Sequence, residues 1–142
     1  MRRLAILFTA ALAVPPPSAA RAADLVVEVA GVRNDRGEIR LALFAEGDFL
    51  DFRRVQARAQ QPARPGRVTL RLNGLPEGRY SFAIAHDENG NGRGDRNFLG
   101  IPTEGVAISN NAKGTFGPPD EAAARFALSS SGLRQTITLT YY

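Results

Sequence analysis

The sequence predicts an all-β chain, a single antiparallel β-sandwich of about seven strands, on three observations. Apolar residues recur at every second position through most of the chain, the period that puts one face of a strand on a core and the other in water. Glycine, proline and asparagine separate these runs at short intervals. Of the 142 residues, about 120 remain after an N-terminal targeting segment, enough for one hydrophobic core and too few for two.

That segment comes first in the chain. Met1-Arg2-Arg3 is basic, Leu4 to Val14 is apolar, and Ala20-Arg21-Ala22 is a small-x-small cleavage site, the three parts of a secretory signal peptide over residues 1–22. The apolar run is too short to span a bilayer, and Pro15 to Pro17 break it before the cleavage region. One domain over residues 23–142 is therefore expected, periplasmic or secreted, with no membrane span after cleavage. Removing Arg2, Arg3 and Arg21 takes three positive charges from the formal +4 and leaves +1. The remaining arginines are scattered singly, without a basic stripe or interleaved aromatics, so no nucleic-acid partner is expected. With no cysteine, the fold must hold without disulfides, and neither thiol chemistry nor a lipid anchor on an N-terminal cysteine is available.

The strands follow in order. Leu25, Val27 and Val29 share one face of the first, and Ile39, Leu41 and Leu43 repeat the pattern after Asn34-Asp35-Arg36-Gly37, which reads as a hairpin. From Asp48, a candidate N-cap, Phe49, Phe52, Val55 and Ala59 recur at helical spacing, so a short helix over residues 48–59 is expected before Pro62 and Pro65 stop it. Arg53, Arg54 and Arg58 would lie on its solvent side. Val68, Leu70 and Leu72 give the next strand, and Tyr80, Phe82 and Ile84 the one after. A short strand is expected at Val106 to Ser109, another at Ala124, Phe126 and Leu128, and a last one from Leu133 to Tyr141, with a threonine-rich polar face.

The turn Leu75-Pro76-Glu77-Gly78-Arg79-Tyr80 refines the fold class. Proline fixes the turn, glycine permits its reversal, and the tyrosine can pack its ring at the corner while its hydroxyl bonds backbone. This Leu-Pro-x-Gly-x-Tyr pattern before an alternating strand resembles the prealbumin-like sandwiches, the transthyretin and carboxypeptidase regulatory-domain groups, and implies their Greek-key topology.

The most specific motif is the loop that follows. Asp87, Asn89 and Asn91 stand at the first, third and fifth positions of a calcium loop, Gly92 at the sixth and Asp95 at the ninth. Arg93, at the seventh, can offer its backbone carbonyl, and Gly90, Gly92 and Gly94 permit a tight wrap. Ca2+ is thus the candidate cofactor, with metal ligands Asp87, Asn89, Asn91, Arg93, Asp95 and, from outside the loop, Glu104 or Glu88. Phe98 occupies the twelfth position, where an EF-hand has its bidentate glutamate, and the flanking runs are not two helices, so a helix-loop-helix sensor is excluded. Nearby Arg93 and Arg96 would lower the affinity. The same residues also suit a metal-free turn, since asparagine tolerates left-handed backbone and aspartate bonds its own main chain. A transition metal would find only one imidazole, His86, and no thiolate.

The succession Leu75 to Tyr80, Ala85 to Gly92, Asn97-Phe98-Leu99-Gly100-Ile101-Pro102-Thr103-Glu104-Gly105 and Ser109-Asn110-Asn111 resembles the bacterial family known as domain of unknown function 2141, from about Leu25 to Tyr141. The resemblance implies an exported bacterial protein with a prealbumin-like sandwich, and no reaction.

Two function classes follow. The first is a non-catalytic binding or envelope-associated structural module whose partner is an envelope protein, a peptide or a carbohydrate. The second is a small periplasmic hydrolase using His86 with the Asp87, Asp95 and Glu104 carboxylates. No nucleophile elbow or zinc signature accompanies the second, and the phase of His86, following Tyr80, Phe82 and Ile84, places it at the core rim, bonded to backbone of the following loop. Roughly forty residues separate the Tyr80 strand from Phe126, too long for a passive connection. Phe98, Ile101 and Phe116 are expected to pin that connection over one end of the sandwich.

Overall fold

The computed structural model describes residues 13–15, 21–97 and 99–142. Apart from residues 13–15 and 21–22, the expected signal peptide lies outside the described residues, as does Phe98. In chain order the strands are β1 (Ala22–Val32), β2 (Glu38–Ala45), β3 (Val55–Pro62), β4 (Gly66–Pro76), β5 (Gly78–Asp87), β6 (Gly105–Ile108), β7 (Phe126–Leu128) and β8 (Leu133–Thr138). A single-turn 3-10 helix at Ser109–Asn111 and a one-turn helix, α1 (Glu121–Ala124), lie between β6 and β7.

Two sheets result, one ordered β4-β1-β8 and the other β3-β2-β5-β6, with β7 also paired to β5. The alternating residues meet between them: Leu25, Val27 and Val29 of β1, Leu70 of β4 and Ile137 of β8 pack with Ile39, Leu41 and Leu43 of β2 and Phe82 and Ile84 of β5, all buried. Burying such side chains is worth about 1.5–3 kcal/mol each, which makes this layer the main source of stability. The chain passes between sheets from β1 to β2, β3 to β4, β4 to β5 and β7 to β8, and β4 returns to lie beside β1. At the β4–β5 corner the Tyr80 hydroxyl donates to the Pro76 carbonyl at 2.6 Å, as the turn motif predicts.

Three expectations are corrected. β1 and β2 form no hairpin: β1 pairs with β4 and β8, β2 with β3 and β5, and residues 33–37 carry the chain across the core. Alternation specifies which face a strand buries and is silent on its neighbour. The β1–β8 pair is also parallel, the exception in an otherwise antiparallel sandwich.

The helix expected over residues 48–59 is instead a string of turns followed by β3. Asp48 N bonds Ala45 O, Asp51 N bonds Asp48 O and Arg54 N bonds Asp51 O, and Leu50 adopts φ 63°. Phe49 and Phe52 sit edge-on to Phe44, at 6.3 and 5.3 Å between centroids, and cover the outer face of β2. Val55, Ala57 and Ala59 then alternate as a strand. The helical spacing merged two aromatic plugs with the start of a period-two run.

Ile101 and Phe116, finally, do not pin the long connection. They are 41% and 107% exposed. The connection is held by polar groups: Asn111 Nδ2 donates to Thr136 O at 3.1 Å, its Oδ1 accepts Thr138 N at 2.9 Å, and Asn110 Nδ2 donates to Arg125 O at 2.9 Å.

Candidate cation site at the end of β5

The loop begins where β5 leaves the sheet, and its first carboxylate is buried. Asp87 is 1% exposed, and it accepts Asn91 N on Oδ1 at 3.2 Å and Gly92 N on Oδ2 at 2.7 Å, with Arg40 Nη1 3.6 Å from Oδ2. Asn89 Oδ1 accepts Asn91 N at 3.1 Å, and Asn91 Oδ1 accepts Arg93 N at 2.9 Å. Side chains at alternate positions thus bond the main chain ahead of them and wind the loop. Gly90 and Gly92 take φ of 67° and 73°, which a side chain would strain.

Asp95 closes the turn. It accepts Asn89 Nδ2 at 2.7 Å and Asn91 Nδ2 at 3.0 and 2.9 Å, and these amides hold its carboxyl below the ordinary range. Its own backbone reaches outward: Asp95 O accepts Thr103 N at 3.0 Å, and Asp95 N lies 3.5 Å from Glu104 Oε2.

Glu104, just before β6, is 5% exposed, and its Oε1 is buried without a hydrogen-bond partner. Burial pushes its carboxyl up, and the charges of Asp95 and Asp87 add to that push against the backbone N–H groups of Asp95 and, less strongly, Glu88. Glu104 also lines a polar cleft of about 230 Å³ with Arg33, Arg36, Glu88, Asn89, Asp95 and Thr103.

Across the cleft, Glu88 is fully engaged. It accepts Asn34 Nδ2 at 2.8 Å, Arg36 Nη2 at 2.6 Å and Arg33 Nη2. Burial raises its pKa, but these donors and the Arg33 charge outweigh it and bring the value down to about 2. Arg33 lies 4.4 Å from the centroid of the Tyr141 ring, a cation–π contact that fixes its direction.

The profile of a family described as an uncharacterized protein conserved in bacteria (DUF2141) matches residues 27–136. The chain belongs to the DUF2141 family. The matched span runs from β1 into β8 and contains the whole loop and Glu104. No curated protein and no solved structure matches this DUF2141 chain.

In this DUF2141 chain the residues singled out by spacing are gathered unevenly. Asp87, Asn89, Asn91 and Asp95 share one hydrogen-bonded turn, and Glu104 joins it through Asp95 N. Arg93 is exposed, with its backbone N–H taken by Asn91. Glu88 is paired with Arg33 and Arg36. Among the described residues, no three acidic or imidazole side chains converge into a preformed metal cage. Any shell must draw on amide and backbone oxygens.

His86 is buried as expected, but it bonds the preceding turn, not the following loop. Nε2 lies 2.7 Å from Arg36 O and Nδ1 2.8 Å from the Tyr141 hydroxyl. The cluster of Arg33, Arg36, Gly37 and Tyr141 around the loop went unread in the sequence. Its one signal is the phase of Tyr141, which follows Leu139 onto the core side of the last strand.

Proposed function

We propose that this DUF2141 chain is an exported, envelope-associated binding module without a catalytic role, in which the Asp87–Asp95 loop and Glu104 take up a calcium ion. Glu104 carries this reading. A buried carboxylate with an unpartnered oxygen, beside two other carboxylates, lowers its energy either by holding a proton or by sharing a cation. The surroundings favour the cation, because Asp87, Asn89, Asn91 and Asp95 supply more of the hard oxygens that calcium collects. Each amide oxygen spends one lone pair on a loop N–H and keeps a second. Asn89 and Asn91 must exchange their N–H bonds to Asp95 for contacts with the ion. That cost suits the affinity of extracellular modules, on the order of 10⁻⁴ to 10⁻³ M.

Export rests on the N-terminal basic, apolar and small-residue pattern. The hydrolase alternative needs a base that faces substrate, and His86 is 0% exposed with both ring nitrogens engaged.

Thermal unfolding in millimolar calcium and in chelator tests the reading. Calcium at about ten times its Kd adds about 1.4 kcal/mol, a rise in Tm of roughly 4–8 °C. Asp95→Asn and Glu104→Gln should abolish the rise. A Tm that ignores both calcium and chelator removes the calcium site.

A further inference from the structure

Apolar side chains exposed close together and rimmed by polar groups mark an interaction site. Arg96 and Pro102 pair as an isolated antiparallel bridge, and the segment between them is built by its own polar groups. Gly100 N donates to Asn97 O and Asn97 N to Ile101 O, both at 2.9 Å, while Asn97 Oδ1 accepts Leu99 N at 2.9 Å and Ile101 N at 3.0 Å. These main-chain and amide bonds hold the described part of the tip. It presents Leu99, 68% exposed, and Ile101, 41% exposed, to the surroundings.

The base of the same hairpin is cationic. Arg93 and Arg96 are exposed, and neither has an acidic partner within 4.0 Å among the described residues. Arg96 Nη1 donates to Gly100 O at 2.9 Å, which ties the guanidinium to the tip, and its other N–H groups have no hydrogen-bond partner among the described residues. Asp95, between the two arginines, is already occupied by Asn89 and Asn91.

We propose that this hairpin docks on an anionic lipid surface, Leu99 and Ile101 entering the acyl boundary while Arg93 and Arg96 meet the headgroup phosphates. Charge complementarity selects the occupant: the planar guanidinium fork matches phosphate, and an anionic leaflet attracts juxtaposed cations. Size agrees, since among the described residues the exposed large apolar side chains of this hairpin are Leu99 and Ile101, well short of the roughly 800 Å² that each partner buries in a stable protein complex. A bilayer asks only for depth. Each arginine should contribute about fivefold to partitioning, and each apolar anchor about tenfold.

Cosedimentation of the chain without residues 1–21, which keeps β1 to β8 whole, tests this with vesicles in chelator, so that the result does not depend on the calcium reading. Binding is expected to mixed phosphatidylcholine and phosphatidylglycerol vesicles, weaker to phosphatidylcholine alone, and falling with salt. Leu99→Ser with Ile101→Ser should lower partitioning about a hundredfold, and Arg93→Gln with Arg96→Gln about twenty-five-fold. Unchanged Tm in these surface variants assigns the losses to docking. Three results overturn the proposal: no binding to the mixed vesicles, equal binding to both lipids, or full binding by the Leu99/Ile101 variant.

Discussion

The Tyr141 hydroxyl lies 2.8 Å from Nδ1 of His86, and this contact gives a hydrogen-bond chain its direction. The Arg36 carbonyl, 2.7 Å from Nε2, can only accept, so Nε2 carries the proton of the neutral ring. Nδ1 then accepts the Tyr141 O–H, and the Tyr141 oxygen accepts Arg33 N at 3.2 Å. Three segments far apart in sequence, the 33–37 crossing, the end of β5 and the C-terminus, are joined behind the candidate site.

Tyr141→Phe keeps the ring against Gly105 and removes only the hydroxyl. It leaves the buried Nδ1 and the Arg33 N–H without their partner. Stability should fall by about 1–3 kcal/mol, read as a lower denaturant midpoint at unchanged slope. An unchanged midpoint would show that water replaces the hydroxyl at no cost.

Gly37 marks where the crossing presses on the loop. Its φ is 68°, and a Cβ there would stand 1.8 Å from Asp87 O and 2.9 Å from the Glu88 Cα, both main-chain atoms that cannot swing away. Gly37→Ala should cost about 3 kcal/mol or more, as overpacking against backbone adds to strain. Gly90→Ala, at φ 67° with nothing within 4 Å, should cost only about 1 kcal/mol. Equal losses in urea titrations of the two variants would refute the clash.

How much of this the sequence disclosed follows from the range over which each signal acts. Alternation located β1, β2, β4, β5 and β8 because a strand on a core repeats its own pattern locally. It missed β3, whose small apolar residues Ala57 and Ala59 alternate weakly and follow two phenylalanines bound for Phe44. The turn of Asp87 to Asp95 was legible because its bonds are nearly all within the loop. The Glu88 cluster was not, since Arg33 and Arg36 look like turn residues until the chain crosses the core and sets them beside Glu88. Register between distant strands has no local signature.

Glu88 should govern the acid limb of stability. Its folded pKa is about 2 against an ordinary 4.5, so its contribution is present above pH 4.5 and is lost as pH falls toward 2. Arg33 and Arg36 are 45% and 68% exposed at the side chain, and solvent screens them. The loss should therefore be about 1–2 kcal/mol, below the full linkage value. Glu88→Gln should be less stable at neutral pH and should flatten the curve between pH 4.5 and 2. Parallel pH profiles for the two proteins would contradict this.

Glu104 should behave in the opposite sense. Burial and the charges of Asp95 and Asp87 raise its pKa above 4.5, so its stabilising form is the protonated one. That contribution is complete below pH 4.5 and is lost as pH rises through the folded value. At neutral pH in chelator the ionised group is a burden, and Glu104→Gln, which keeps an acceptor for Asp95 N, should raise Tm, the gain shrinking below pH 4.5. In millimolar calcium the order should reverse, because the wild-type carboxylate shares the ion and the amide lacks the charge to hold it. A variant less stable than wild type at neutral pH in chelator would mean that the Glu104 carboxylate is stabilised by the protein itself, and the argument from its unpartnered oxygen would fail.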